Sequence, residues 1–280
     1  MAELYTGTVE KMSVRLESPV RYQLDIGTAK LDVNALLGKP LQLKATGRIF
    51  CTACNKLTKT SFAQGYCYQC FTRLAQCDGC IVAPEQCHYD QGTCREPVWA
   101  DHFCMQDHIV YLANSSGLKV GITRASQVPT RWIDQGASQA LAIIRTRTRQ
   151  QAGFCEAMLR SHVADRTNWR TMLKGESTVL DLPAERDRLL GLCTAELAQL
   201  QQRFGIHALS VLTGVDPISI AYPVHALPEK LNSVDIETGP ASGTLLGIKG
   251  QYLLLDTGVV NVRKYTGYEL ELSVPQASPA

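Results

Sequence analysis

Two pairs of cysteines constrain the chain more than any other feature of its sequence. They are Cys51 with Cys54 and Cys67 with Cys70, two C-x-x-C pairs separated by twelve residues. Four thiolates at this spacing can surround one tetrahedral zinc ion, because each C-x-x-C turn supplies two sulfurs. Four buried free cysteines are a poor alternative, since the loop between the pairs is rich in polar and charged side chains. The sequence therefore predicts a structural zinc site.

A second group of cysteines follows directly, and we expect it to bind metal as well. It comprises Cys77, Cys80, Cys87, Cys94 and Cys104, interspersed with His88 and His102 and followed by His108. Cys77 and Cys80 form one half of a site. The other half is open: Cys94 with Cys104, Cys87 with Cys94, or Cys104 with His108 could each complete it. Cysteine-only ligation also suits an iron–sulfur cluster, and cross-bracing with the first four cysteines fits the spacing too. We expect one or two structural zinc ions in total, or zinc with an iron–sulfur cluster.

The use of cysteine also bears on the compartment. Nine of the eleven cysteines lie between Cys51 and Cys104. Residues 1–10 lack a basic region followed by an apolar one, and no run of eighteen apolar residues occurs. We therefore expect a cytoplasmic protein without a membrane segment. In a reducing compartment such cysteines bind metal rather than form disulfides.

The segment after the cysteines has the hydrophobic periodicity of a small α/β unit. Its predicted elements are, in order, a strand over Ile109–Ala113, a strand over Leu118–Thr123, a short helix from Pro129 ended by Gly136, a strand over Ala140–Ile144, a helix over Gln150–Asp165 and an amphipathic helix over Pro183–Phe204. The apolar stripe of the last helix includes Cys193, which we expect to be a packing residue.

Strands dominate both ends of the chain. We predict an α+β fold in four segments: a β-rich segment 1–49, a cysteine-rich metal-binding region 50–106, the α/β core with its following amphipathic helix 107–215, and a β-rich segment 216–280. Leu245-Leu246-Gly247 resembles Leu36-Leu37-Gly38, which indicates either an internal repeat or two hairpin-rich segments of similar composition. The two ends could also close one discontinuous β-domain.

Positive charge is concentrated on the core. Residues 109–174 contain ten Lys or Arg and three Asp or Glu, a net charge of +7, whereas the remainder has eighteen and twenty-three, a net charge of −5. Such a distribution suits a phosphate-backbone partner, although a basic surface without a partner is the alternative. Arg145, Arg147 and Arg149 alternate, which would place them on one strand face. We assign these three and Trp132 to nucleic-acid binding.

The core also resembles the GIY-YIG nuclease superfamily. Val110-Tyr111 stands where the first signature tripeptide of the family ends, and Lys119-Val120-Gly121 stands at the second. Thr123, Arg131 and Glu156 follow at family-like positions. Lys119 departs from the family, since it replaces the second tyrosine. The cysteine-rich stretch before this core is similar to an uncharacterised bacterial family of zinc-ribbon proteins.

The resemblance implies a GIY-YIG-like core that binds nucleic acid, DNA or RNA, and cleaves it with Mg²⁺ or Mn²⁺. Tyr111 would assist deprotonation of water, Arg131 would hold phosphate oxygens and Glu156 would bind the divalent ion. Lys119 would offer a charge for phosphate but is a poor base unless its pKa is lowered.

Glu156 draws attention on physical grounds too. It shares a predicted helix face with Ala152, Leu159 and Val163, where a carboxylate is costly unless it is compensated. A structural salt bridge to Arg131 would compensate it equally well. The alternatives to an endonuclease are therefore a non-catalytic nucleic-acid-binding module and a zinc-stabilised protein-interaction scaffold.

Overall fold

The computed structural model describes residues 2–163, 168–175 and 178–275. The protein has an α+β fold, as predicted, and all pairings between its named strands are antiparallel. The strands are β1 Ala2–Thr8, β2 Ser13–Arg15, β3 Arg21–Ile26, β4 Ala29–Asp32, β5 Pro40–Phe50, β6 Leu57–Thr58, β7 His108–Asn114, β8 Leu118–Arg124, β9 Gln139–Thr146, β10 Leu209–Val211, β11 Ile218–Ser219, β12 Ala241–Lys249, β13 Tyr252–Leu255, β14 Gly258–Asn261 and β15 Tyr268–Pro275. The helices are α1 Tyr68–Arg73, α2 Pro97–Phe103, α3 Thr130–Asp134, α4 Arg149–Arg160, α5 Trp169–Lys174, α6 Leu182–Leu192 and α7 Thr194–Phe204. In the described part of the chain, none of these helices is long and apolar enough to cross a membrane.

The chain forms two compact units, which cut across the four predicted segments. Unit 1 combines residues 1–72 with residues 221–280, and unit 2 comprises residues 73–220. The cysteine-rich region 50–106 is thus divided. Its first four cysteines belong to unit 1 and its other five to unit 2.

Unit 1 is built around one sheet that combines strands from its N-terminal and C-terminal parts, with the first strand β1 next to the last strand β15. Its strand order is β1-β15-β5-β12-β13-β14, with β6 paired to β5 and a separate three-stranded sheet β2-β3-β4. β15 pairs with β1 along its length and with β5 on its other edge. Alternating apolar side chains such as Leu41, Leu43, Leu270 and Leu272 are buried, which is the pattern expected of strands with one face on a core.

The same succession of elements occurs twice in unit 1. A hairpin, a 3-10 turn and a long strand follow one another in β3 to β5, and again in β13 to β15. Gly38 and Gly267 end the two 3-10 turns with left-handed φ angles of 76° and 84°. Gly38 therefore corresponds to Gly267, and the match to Gly247 read from the sequence is in the wrong register. Gly247 lies inside β12, where an added Cβ would come within 2.9 Å of Val224.

Unit 2 confirms the predicted order of strand, strand, helix, strand, helix. The sheet order is β10-β9-β7-β8, with β11 also on β9, so every side chain of the central strand β7 is buried. The helix predicted over Gln150–Asp165 is shorter, since α4 ends at Arg160, and Asp165 lies outside the described residues. α4 packs on the sheet through Ala152, Cys155 and Leu159, which belong to the buried core.

The prediction of one amphipathic helix over Pro183–Phe204 is wrong, because two helices cover this range. Cys193 has φ −105° and ψ 18°, which interrupts the helical backbone between α6 and α7. Its side chain is nevertheless buried in the core of unit 2, as expected for a packing residue. The apolar stripe therefore predicted correctly that Cys193 is buried, but it did not predict that the helix is interrupted there.

Candidate metal centre and active site

The four cysteines of the two C-x-x-C pairs converge in unit 1, as predicted. The sulfurs of Cys51, Cys54, Cys67 and Cys70 all lie within 4.8 Å of one another. The Sγ atoms of Cys54 and Cys67 are 3.8 Å apart. A tetrahedral zinc ion with Zn–S bonds of about 2.3 Å sets its sulfurs about 3.8 Å apart, so the cluster has the dimensions of a zinc site. Cross-bracing of the first pair with Cys77 and Cys80 is therefore not the arrangement found.

Two different local structures deliver the four sulfurs. The first pair sits in the turn between β5 and β6, where the Cys51 N–H donates to the Lys56 carbonyl at 2.9 Å. Asn55 closes this turn with a left-handed φ of 55°, a conformation that Asn tolerates better than most residues. The second pair lies at the start of α1, where the Phe71 N–H donates to the Cys67 carbonyl at 2.9 Å. A hairpin turn and the start of a helix thus hold the site. The spacing of the cysteines alone did not predict which elements would carry them.

The thiols of this cluster cannot all ionise without a cation between them. Burial raises the pKa of Cys51, but N–H groups of Cys67 and of its own turn donate to the sulfur and lower that pKa to about 6. Burial and the neighbouring thiols raise the pKa of Cys70 to about 12. One thiolate therefore forms readily and repels the next. A divalent zinc ion would offset that repulsion, and the donor set of four sulfurs fits zinc.

In unit 2, Tyr111 is tightly enclosed by its neighbours. Its side chain is 1% exposed, and its hydroxyl donates to Oε1 of Gln135 at 2.6 Å. Gly121 lies opposite it on β8, and a Cβ there would come within 2.6 Å of the hydroxyl oxygen. Only glycine leaves room for the ring. Gln135 was not among the predicted site residues, and its position just before the helix-ending Gly136 is the only signal that the sequence offered.

Arg131 and Glu156 both act electrostatically on the Tyr111 hydroxyl. Burial raises the pKa of Tyr111 to about 12, the Arg131 guanidinium lowers it, and the Glu156 carboxylate raises it. Arg131 on α3 and Glu156 on α4 therefore lie close enough to Tyr111 on β7 for their charges to shift its pKa. Because its pKa lies so high, Tyr111 is a neutral phenol at neutral pH.

The fourth predicted catalytic residue, Lys119, lines a cavity of about 250 Å³ at the β7–β8 turn. Gly117, His162 and Arg188 line the same cavity. Lys119 is half-buried and pairs with Ala113 across the two strands, on the face that carries Gly121. The cavity thus gathers three basic side chains within one concave surface.

Two of the four residues predicted to contact nucleic acid, Trp132 and Arg149, do not lie on the exposed strand surface that the prediction needs. Trp132 is 2% exposed and packs edge-on against Tyr111 with ring centroids 5.9 Å apart, so its ring is a core element and not a surface contact. Arg149 does not share a strand face with its neighbours, because β9 ends at Thr146 and Thr148 caps α4. Its Nη2 atom donates to the Ile81 carbonyl at 2.6 Å.

Arg145 and Arg147 are exposed, as the alternating pattern predicts. Asp107, which the sequence did not draw attention to, lies between them. Its carboxylate accepts from Nε of Arg145 at 2.7 Å and lies 3.5 Å from Nη1 of Arg147. Ion pairs as exposed as these contribute about 0–1 kcal/mol, so both guanidinium groups remain available to a phosphate.

Four cysteines of the second group affect one another in unit 2, since Cys87 and Cys94 raise the pKa of both Cys80 and Cys104. Cys80 stands with Asp78 and His88 in a set whose ligand atoms are within 4.8 Å of one another. Burial, together with Cys87, Asp78 and Cys94, raises the pKa of Cys80 to about 11, while Arg149 opposes the shift. Burial raises the pKa of Cys104 to about 11 as well, where Arg149 opposes and Cys87, Cys80 and Cys94 add to the shift. Cys87 is thus the strongest sulfur neighbour of both thiols, and Cys94 acts on both as well.

One comparison with known proteins gives a match. Residues 38–270 match the family model described as "Protein of unknown function (DUF2797)". The chain belongs to this DUF2797 family. The match spans the end of the first β-rich region, both cysteine groups and the whole of unit 2. No curated protein and no solved structure matches the chain. Membership of the DUF2797 family does not indicate a reaction. The nuclease activity that the resemblance to GIY-YIG nucleases implies therefore stays a prediction.

Proposed function

We propose that this protein binds nucleic acid and cleaves its phosphodiester bonds with the help of a divalent metal ion, Mg²⁺ or Mn²⁺. The observation that carries the proposal is that the charges of Arg131 and Glu156 both act on the hydroxyl of Tyr111. A hydroxyl, a cation and a carboxylate are the three kinds of group that water activation, phosphate binding and metal binding need. The order of elements that supports them is the one expected of a GIY-YIG-like core.

Each of the three residues has a separate role in this proposal. Glu156 would hold the divalent ion through its carboxylate, since Mg²⁺ keeps several waters and needs few protein ligands. Arg131 stabilises the charge that develops on the phosphate. Tyr111 remains protonated and, with Gln135 fixing its hydroxyl, orients the attacking water through an oxygen lone pair. The metal ion, when bound, lowers the pKa of that water and neutralises charge.

Basic side chains at the surface of unit 2 support a polyanionic partner. Lys119, His162 and Arg188 line one cavity, and Arg145 and Arg147 are exposed at the end of β9. The +7 charge of residues 109–174 therefore lies partly in concave and exposed places that a phosphate backbone can reach. Zinc at the four-cysteine site of unit 1 has a structural role in the proposal and takes no part in the chemistry.

The test is cleavage of labelled single-stranded and double-stranded DNA and RNA by the full chain with Mg²⁺ or Mn²⁺. Glu156→Gln should abolish cleavage and leave binding unchanged. Glu196→Gln removes the same charge from the exposed helix α7 of the same unit and should cleave like the wild type. Arg131→Ala should slow turnover by about 100-fold or more, by analogy with other preorganised charge stabilisers. Cleavage that survives both Glu156→Gln and Arg131→Ala would contradict the proposal.

One observation favours a second function, that of a non-catalytic nucleic-acid-binding module. Tyr111 is almost fully buried, whereas a group that activates water must reach it. The two functions differ in the cleavage assay but share salt-dependent binding, because phosphate contacts release counterions. Binding that weakens steeply with salt, together with no cleavage under any metal, would select this second function.

A further inference from the structure

The segment that carries Cys80, Cys87 and Cys94 has almost no core of its own. Between Leu74 and Glu96 the structure has only 3-10 turns, and Ala75 and Pro84 are the only buried residues there. So short an irregular segment cannot be held by apolar burial alone and commonly depends on a disulfide or a metal. A cross-link where the cysteines meet would therefore stabilise this segment.

Hydrogen bonds and ion pairs bring the cysteine-bearing turns of this segment together. Nε of Arg95, the neighbour of Cys94, lies 2.8 Å from the Asp78 carboxylate, two residues before Cys80. His88, the neighbour of Cys87, shares a 2.8 Å hydrogen bond with the hydroxyl of Thr93. The backbone around Cys80, Cys87 and Cys94 is thus folded onto itself.

The start of α4 adds the fourth cysteine and closes the group. The Arg149 N–H donates to the Cys104 carbonyl at 2.8 Å, and the Arg149 side chain donates to the carbonyl of Ile81, next to Cys80, at 2.6 Å. Nε2 of Gln150 donates to the Cys87 carbonyl at 2.7 Å. Two consecutive residues of α4 therefore bind the backbone beside three of the four cysteines.

A buried donor in this place has no acceptor among the described residues. Nε of Arg149 is buried and makes no hydrogen bond. Leaving such a donor without a partner costs about 1–3 kcal/mol, and more for a charged group. Thiolates or inorganic sulfide beside the guanidinium would accept this hydrogen bond and be neutralised by its charge.

The four sulfurs are spread more widely than those of the zinc-sized cluster in unit 1. The sulfurs of Cys80, Cys87, Cys94 and Cys104 do not all lie within 4.8 Å of one another, whereas the other four do. Around one zinc ion the spacing would be about 3.8 Å. Around a [4Fe–4S] cluster each cysteine ligates a different iron, so the sulfurs stand farther apart. The wider spread fits the cluster better than a single ion.

We propose that Cys80, Cys87, Cys94 and Cys104 ligate a [4Fe–4S] cluster beside Arg149, at the start of the helix that carries Glu156. This ligand set leaves out Cys77 and therefore differs from the half-site that the spacing of Cys77 and Cys80 indicates. The cluster fastens the irregular segment to α4. Its loss would therefore reach Glu156, which lies two turns further along the helix.

The experiment is metal and sulfide analysis of the full chain, purified without oxygen and reconstituted with ferrous iron and sulfide. We expect about four irons and four sulfides per chain in addition to one zinc, with a broad visible absorption that dithionite bleaches. Two zinc ions per chain and no iron, or no visible absorption after reconstitution, would overturn the proposal. This arm uses the wild-type chain and does not depend on the folding of a variant.

Variants then test the ligand set. Cys87→Ser and Cys94→Ser should lose most of the iron and keep the zinc, whereas Cys51→Ser should lose the zinc and keep the iron. Cys77→Ser is the matched control, a cysteine of the same segment, and should keep both. Loss of iron in Cys77→Ser, or its retention in Cys94→Ser, would refute this ligand set. Arg149→Gln should shift the reduction potential of the cluster to more negative values, because a donor and a positive charge are removed; an unchanged potential would contradict the placement of Arg149.

Discussion

Replacing Gly121 by alanine should destabilise unit 2, because the new methyl group has no room. An ideal Cβ would lie 2.6 Å from the Tyr111 hydroxyl oxygen and 2.7 Å from Cζ. Ordinary contacts are about 3.5 Å or longer, so the overlap approaches 1 Å. The ring cannot retreat, since Trp132 packs against it and Gln135 holds its hydroxyl at 2.6 Å.

The expected loss follows from two opposing effects. Overpacking of a well-packed core costs about 1–3 kcal/mol. Replacing glycine inside a strand returns about 0.5–1 kcal/mol of backbone entropy. The free energy of unfolding should therefore fall by about 1–2 kcal/mol. Gly191→Ala in α6 is the matched control, because an added Cβ meets nothing within 4 Å there and should raise stability by up to about 1 kcal/mol.

Urea unfolding followed by tryptophan fluorescence measures both variants, and it reads unit 2 alone. All three tryptophans, Trp99, Trp132 and Trp169, belong to residues 73–220. A Gly121→Ala variant that is as stable as the wild type, while Gly191→Ala is stabilised as expected, would refute the packing described around Tyr111.

Four further predictions follow from other parts of the molecule. Cys51→Ser should release zinc and lower the melting temperature, whereas Cys155→Ser, which changes a buried thiol of α4, should keep the zinc; equal zinc content in both would contradict the four-cysteine site. Replacing Arg145 and Arg147 by Gln should weaken nucleic-acid binding and flatten its salt dependence. Arg15 and Arg21 are the control, because they flank Glu17 as the first pair flanks Asp107, and replacing them by Gln should leave binding unchanged. Equal affinity of the two double variants would show that nucleic acid binds elsewhere. Gly153→Ala should loosen the packing of α4 against Pro84, since an added Cβ would come within 2.6 Å of that ring. Backbone amides of residues 79–91 should then exchange hydrogen faster, and unchanged exchange would contradict this packing. Burial lowers the pKa of His108 to about 4, so between pH 6.5 and 4 the unfolded chain binds a proton that the folded chain does not. The contribution of neutral His108 to the free energy of unfolding should be fully present above pH 6.5 and be lost as the pH falls towards 4. An identical dependence of the free energy of unfolding on pH in His108→Gln would contradict this.

Local patterns predicted the elements of unit 2 well, because strands and short helices there follow their own periodicity. The turn at Gly117 and the stop at Gly136 both have the positive φ angles that glycine allows. The break at Cys193 was missed because an apolar stripe continues through it, and burial does not require a continuous helix. Arg149 was misplaced for a related reason: the alternation of Arg145 and Arg147 runs past the end of β9, where Thr148 starts a helix.

Long-range arrangement was beyond the reach of sequence spacing. Spacing identified the four cysteines of unit 1 because each pair is a complete local turn. The second group is assembled by contacts with Arg149 and Gln150, some sixty residues later in the chain, so its ligand set stayed open. The register of the internal repeat was likewise misread, since a Leu-Leu-Gly match reflects composition, whereas the structural equivalence rests on the left-handed glycines Gly38 and Gly267.

Anomalous diffraction from crystals grown with Mn²⁺ and a cleavage-resistant oligonucleotide tests the proposed active site most directly. We expect a manganese peak on the Glu156 carboxylate, with a phosphate between the ion and the Arg131 guanidinium and the Tyr111 hydroxyl facing a water on the ion. No manganese near Glu156, with its carboxylate instead paired to Arg131 or Arg149 and the oligonucleotide bound elsewhere, would contradict it.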